Sequence, residues 1–237
     1  MQLSKNKSFT GSSSVIGILL LLSLLIPILN WMLILSQFTP EDGNASLIIL
    51  NNEFLFRLSV IIGLVNTIII TLAFRLYKIF GVINRNMASS AFFLKLFEAA
   101  LTASLSFAHF IALLVLKGEP QNVEMQNVVN LLVKNYITFT TIPGVFFGIS
   151  MTIFLYLFLK SGYVPYKFAL VGTLSYSLVV VYDSITILLP DYSAMLPIQI
   201  IGSVPVFLFQ IIFGFWLLFR STKRTSGRTI SSIHVIN

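Results

Sequence analysis

Ionisable side chains are scarce in the apolar stretches of this chain, so the few that occur there mark where chemistry would sit. Lys95, Glu98, Thr102, Ser106 and His109 share one such stretch. At 100° per residue, helical steps of three, four and eleven return to within roughly 80° of one direction, so these residues form a polar stripe. Lys95 and Glu98, at i and i+3, can pair. The His109 imidazole can carry a proton near neutral pH. In a later stretch Gly172, Tyr176, Val179 and Asp183 share a face, and Gln210 lies in the last one. Counted from the midpoints of their stretches, His109 and Asp183 lie roughly 10 Å and 7 Å toward the same side. Glu98 and Gln210 lie roughly 6 Å and 3 Å toward the other. A His109–Asp183 contact is therefore allowed by height, and Gln210 is a neighbour for Glu98. The candidate ligand-binding or proton-relay set is Lys95, Glu98, His109, Tyr176, Asp183 and Gln210; Asn30 and Asn66 add single amides in the first two stretches.

The same residues also suit architecture. An ionisable group at the centre of a bilayer costs roughly 2.5–3.5 kcal/mol on insertion scales, so the stripe should face other helices and not lipid. Interhelical hydrogen bonds hold such bundles together at under about 1 kcal/mol each. Lys95 can alternatively snorkel toward the interface. Arg57, one turn after Glu53, reads as half of a rim ion pair, and Pro143-Gly144, Gly148 and Pro205 read as kink and packing points.

Several chemistries are excluded. Only His109 lies within an apolar stretch and His234 is in the tail, so a haem held by two intramembrane histidines is ruled out. The chain has no cysteine, hence no disulfide, thiol relay or thiolate metal site. It also lacks H-E-x-x-H, G-x-S-x-G and P-loop patterns. No metal and no cofactor is expected.

The elements that must carry these residues are six apolar segments: Val15–Leu35, Phe54–Phe74, Ala88–Leu116, Tyr136–Leu159, Phe168–Leu189 and Pro197–Phe219. About 20 residues cross a hydrocarbon core of roughly 30 Å, and each segment reaches that length. With 57% hydrophobic and 10% charged residues, the composition belongs to no ordinary soluble domain. The fold class predicted is all-α: a bundle of six transmembrane helices over residues 15–219, between a tail at 1–14 and a basic tail at 220–237 that reads as flexible. The first segment is too long for a signal peptide and is read as retained.

Positive charge alternates from side to side. Lys5, Lys7, Arg75, Lys78, Arg85, Lys160, Lys167, Arg220, Lys223, Arg224 and Arg228 fall on one side with no acidic residue among them. The other side carries Lys117 and Lys134 against Glu41, Asp42, Glu53, Glu119, Glu124 and Asp191. Lys and Arg in short loops stay cytoplasmic, so both termini should be cytoplasmic and the protein should lie in the cell membrane. A nucleic-acid surface would not alternate loop by loop, and nucleic acid is not an expected partner; the bilayer is. An Asn44-Ala45-Ser46 sequon carries no weight, and Gly81-Val82-Ile83 and Gly162-Tyr163-Val164 make a weak echo for which chance suffices. Tyr163 and Tyr166 on one side, and Tyr136 and Tyr192 on the other, suit interfacial belts.

Three places resemble a bacterial family of six-span membrane proteins, domain of unknown function 4386. Lys95-Leu96-Phe97-Glu98-Ala99 is similar to its Arg-x-x-Glu-Ala signature, with Lys in place of Arg. Ser161 through Lys167, followed by Leu170 and Gly172, resembles its Ser-x-x-Ile-Pro-Arg turn. Gln210 through Leu218 resembles its terminal Glu-x5-Trp-Leu-Leu segment, with Gln210 where the pattern has a carboxylate that can titrate. The resemblance implies the six-span fold and membrane location and no particular activity.

Three functions compete. In the first, a small solute, lipid or proton is bound or transported along a polar seam between helices three, five and six, and Glu98→Gln with Asp183→Asn should abolish it. In the second, an integral-membrane enzyme uses His109 and Asp183 as an acid/base pair on a lipid-borne substrate. The third is a structural or regulatory subunit whose polar residues only fix packing. The sequence supports a multi-pass membrane protein of unknown activity, with binding or transport ahead of catalysis.

Overall fold

The computed structural model describes the backbone of residues 2–39, 45–193 and 195–233, with side chains described for 13–39, 45–192 and 195–220. Glu41, Asp42, Asn44 and His234 lie outside the described residues, as do the side chains of Lys5, Lys7, Lys223, Arg224 and Arg228. The helices are α1 (Gln2–Leu33), α2 (Ala45–Asn51), α3 (Glu53–Val65), α4 (Ile69–Phe80), α5 (Arg85–Gly118), α6 (Val123–Lys134), α7 (Tyr136–Ser161), α8 (Tyr166–Leu188), α9 (Pro190–Ser193) and α10 (Leu196–Ile233). No strand occurs among the described residues. A chain in lipid has no water to satisfy its backbone, and helices answer that need internally.

Six stretches are long and apolar enough to cross a membrane: Ser13–Phe38, Glu53–Phe80, Arg85–Gly118, Tyr136–Ser161, Tyr166–Leu188 and Leu196–Arg220. They match the six predicted segments, with most ends extended by a turn or less because charged and amide residues continue the helices beyond the apolar run. The second is the exception. It runs to Phe80 and is interrupted at its middle by a 3-10 turn, Asn66–Ile68, which divides it into α3 and α4. The basic tail also differs from expectation, because α10 continues through Ile233.

Each span packs on its neighbours in chain order, and α1 closes the ring against α10. Local signals set the turns. The Asn84 side chain accepts from the Met87 N–H at 3.0 Å and starts α5. Gly162, at φ 65°, ends α7 in the left-handed conformation that glycine adopts without steric cost. Gly81 ends α4 at φ −59°, so the two echoed turns differ in backbone and share only letters.

At one end of the ring the described basic residues Lys78, Arg85, Lys160, Lys167 and Arg220 flank the α4–α5 and α7–α8 turns and the end of the last span; this is the basic face. Phe80 and Tyr163 (ring centroids 6.3 Å apart) join the two turns, and Arg220 donates to the Tyr163 carbonyl. That half of the ring is plugged by side chains from every span, including Leu20, Leu72, Phe80, Ala88, Phe158, Ala169 and Phe213.

The opposite, acidic face is built differently. Its loops, which the apolar pattern left unstructured, form α2 and α6 and cover a second cluster that includes Phe38, Ile49, Phe56, Leu113 and Val129. Ser46 holds α2 to α6, its N–H donating to Asn130 Oδ1 at 2.9 Å. The predicted rim pair is present: Arg57 Nε donates to Glu53 Oε1 at 2.7 Å, and Lys117 adds two bonds of 3.0 Å to the same carboxylate.

Candidate functional site

The polar stripe of α5 faces inward. Lys95 is fully buried and donates to Glu98 Oε2 at 2.5 Å, one turn along the same helix. It does not snorkel. The reason lies on the adjacent span: the Lys95 ammonium sits 4.2 Å from the centroid of the Phe147 ring of α7, a cation–π contact that replaces part of its lost hydration. Pairing plus an aromatic face is how a buried ammonium is tolerated, since an isolated one would be too costly.

Phe147 also meets Tyr176 of α8, with centroids 5.2 Å apart. The buried Tyr176 hydroxyl donates to Gln210 Oε1 at 3.0 Å, and Gln210 Nε2 donates to the Leu20 carbonyl at 2.9 Å and to Ser23 Oγ at 3.0 Å. One amide thus ties α8, α10 and α1 together. The structure brings four predicted residues into two units, Lys95–Glu98 and Tyr176–Gln210, both in contact with Phe147. Phe147 and Ser23 were not singled out, because an aromatic in an apolar run and a lone serine carry no signal of their own.

His109 and Asp183 stand apart. No hydrogen bond or ion pair joins them, because α7 lies between α5 and α8 in the ring. His109 packs on Phe56 (5.8 Å) and Tyr136 (5.2 Å) toward the acidic face. Tyr136 also stacks on Trp31 of α1 at 5.8 Å and 8°, so its ring points into the bundle and not into an interfacial belt. Asp183 is buried in the α7–α8 interface directly against Gly144, where a Cβ would fall on its carboxylate. Gly148, one turn on, lies so close to α8 that a Cβ would be 3.1 Å from the Tyr176 carbonyl oxygen. Gly144 and Gly148 are therefore packing points, as small residues are in other membrane bundles.

Between the plugged basic half and the acidic cap lies a cavity of about 370 Å³. Glu98, Thr102 and Ser106 of α5 form one wall, with Gln210 of α10, Ser23 and Asn30 of α1, Asn66 at the break between α3 and α4, and Tyr136 and Phe147 of α7 around it. Lys95, His109, Tyr176 and Asp183 do not line it. Asn30 and Asn66 stand on this wall, and the Oδ1 of each is buried without a hydrogen-bond partner. Among the described residues, no three of His, Asp and Glu come together to hold a metal ion.

Six apolar helices packed in a ring define a multi-pass membrane protein. Residues 15–221 match the family model described as Domain of unknown function (DUF4386), and the chain belongs to that family. No curated protein and no solved structure matches it.

Proposed function

We propose that this protein binds, and passes through the bilayer, a small solute or lipid held in the central cavity, and that it does so in the plasma membrane with both chain ends in the cytosol. The carrying observation is that Glu98, the one carboxylate on the cavity wall, faces a space of about 370 Å³, within the range of small-molecule sites. Relative to the seam expected between helices three, five and six, the site shifts toward helices one, two, three, four and six. Helix five contributes through Tyr176, which orients Gln210.

Thermal shifts of the purified protein against a panel of small solutes and lipids test the reading. A compound that stabilises the wild type and D183N, but not E98Q, supports it. A shift that E98Q leaves unchanged overturns it.

A purely architectural role has its own support in the Lys95–Glu98 pair and in the amide of Gln210, both satisfied within the protein. It expects the same substitutions to lower stability with no compound-dependent difference. The acid/base reading needs His109 and Asp183 in contact, and α7 stands between their helices.

A further inference from the structure

Two carboxyl side chains are buried among the described residues, Glu98 and Asp183. Glu98 is neutralised by Lys95. Asp183, 7% exposed in the α7–α8 interface, has no such compensation: among the described residues no donor and no cation reaches it. The elements packed on α8 are α7, α10 and α9, and their titratable groups lie elsewhere. On α7, Tyr136 is two turns from Gly144, roughly 12 Å along the axis, and held between Trp31 and His109. Lys160 lies over the Tyr156 ring, toward the basic face. Arg220 of α10 lies over Trp216, and Asp191 and Tyr192 of α9 are exposed beyond the end of α8. Within α8, Tyr176 bonds Gln210, Tyr182 packs on Gly202, and Tyr166 and Lys167 are in the first turn. No charged side chain bears on Asp183. A carboxylate buried without a partner is costly enough that the group takes up a proton instead.

Its position gives that proton a consequence. Asp183 precedes the end of α8 at Leu188 by roughly 7–8 Å, so it is shallow and nearer the acidic face than the basic one. Its carboxyl fills the place where a side chain on Gly144 would begin. Gly144 also lines the cavity, so one residue of α7 meets both the acid and the central space. A neutral carboxyl can stay packed there. An ionised one needs water, and the seam at Gly144 must loosen to admit it.

We propose that Asp183 is a proton-binding site: its carboxyl holds a proton while packed on Gly144, and release of that proton loosens the α7–α8 seam that Gly144 shares with the cavity wall. This goes beyond the cavity reading above, because neither half of it needs a ligand.

The test is infrared spectroscopy of the full chain in phosphatidylcholine nanodiscs, with carbon-13 in the side-chain carboxyl of aspartate. The aspartates are Asp42, Asp183 and Asp191, so the label is selective. At neutral pH a protonated-carboxyl stretch should appear, shift with the label and with deuterium oxide, persist in E98Q and vanish in D183N. Raising the pH should remove it. The native protein then holds a proton that an unfolded aspartate has released, so stability falls as pH rises. The unfolding midpoint of the wild type should drop by several degrees as the band disappears, and that drop should be missing in D183N. Loosening is read in Thr140→Cys, on the cavity wall one turn from Gly144 in a chain with no other cysteine. A small water-soluble maleimide should label it several-fold faster at high pH than it labels the same cysteine in D183N, a comparison that cancels the titration of the thiol. Absence of a label-sensitive stretch at neutral pH overturns the proton site, with no variant needed. Labelling rates that match D183N at every pH overturn the link to the cavity wall. Neither result bears on the E98Q comparison, which decides the cavity reading by itself.

Discussion

At the scale of single residues, the Lys95–Glu98 pair is the sharpest test of how this interior is held together. Both groups are buried, and each is the other's main compensation. Deleting one partner of such a pair strands the other and costs about 3–5 kcal/mol, whereas replacing both with apolar side chains is often close to neutral. Lys95→Met and Glu98→Met should therefore each lower the unfolding midpoint strongly, and the double substitution should recover most of the loss. A double variant as unstable as the sum of the singles would show that the two side chains are not coupled. Gln210 makes a different point. The terminal segment it resembles has a carboxylate there, yet this amide donates twice through Nε2, to Leu20 and Ser23. An ionised carboxylate keeps the acceptor for Tyr176 and loses both donors. Q210E should cost about 1–3 kcal/mol at neutral pH. The cost should shrink as pH falls, because a protonated carboxyl can donate again; melting curves across pH would read it.

At the scale of helices, the α7–α8 contact depends on two residues without side chains. Gly144→Ala drives a methyl into the Asp183 carboxylate, and overpacking of this kind costs about 1–3 kcal/mol. Asp183→Ala in the same chain should restore part of that loss, measured as the unfolding midpoint in detergent. If it restores nothing, strain at Asp183 is not the cause. This interface also marks where the sequence ceased to be legible. The six spans were readable because lipid demands long apolar helices, and the inward stripe of α5 because charge cannot face lipid. The Tyr176–Gln210 bond was half readable, since each was picked as a polar member of its own face. What could not be read was which spans are neighbours. Matching heights allowed a His109–Asp183 contact, but height says nothing of order around a ring, and α7 intervenes. Helices α2 and α6 were hidden as well, because such short helices do not stand out from loops between long apolar runs.

At the scale of the whole molecule, orientation decides which side of the membrane the cavity lies nearer. Ser203 and Asn30 lie in the halves of α10 and α1 nearer the acidic face. Eleven lysines and arginines lie on the other side by sequence, without an acidic residue among them. Basic residues in short loops are retained in the cytosol, so the cavity should lie nearer the outer side of the membrane. The absence of cysteine makes the test direct, because any thiol introduced is the only one in the chain. Lys167 is exposed in the first turn of α8 on the basic face, and Tyr192 is 55% exposed on α9 at the acidic face. A membrane-impermeant maleimide applied to intact cells should label Tyr192→Cys and leave Lys167→Cys untouched until the cells are permeabilised. The reverse pattern would invert the chain and place the cavity nearer the cytosolic side.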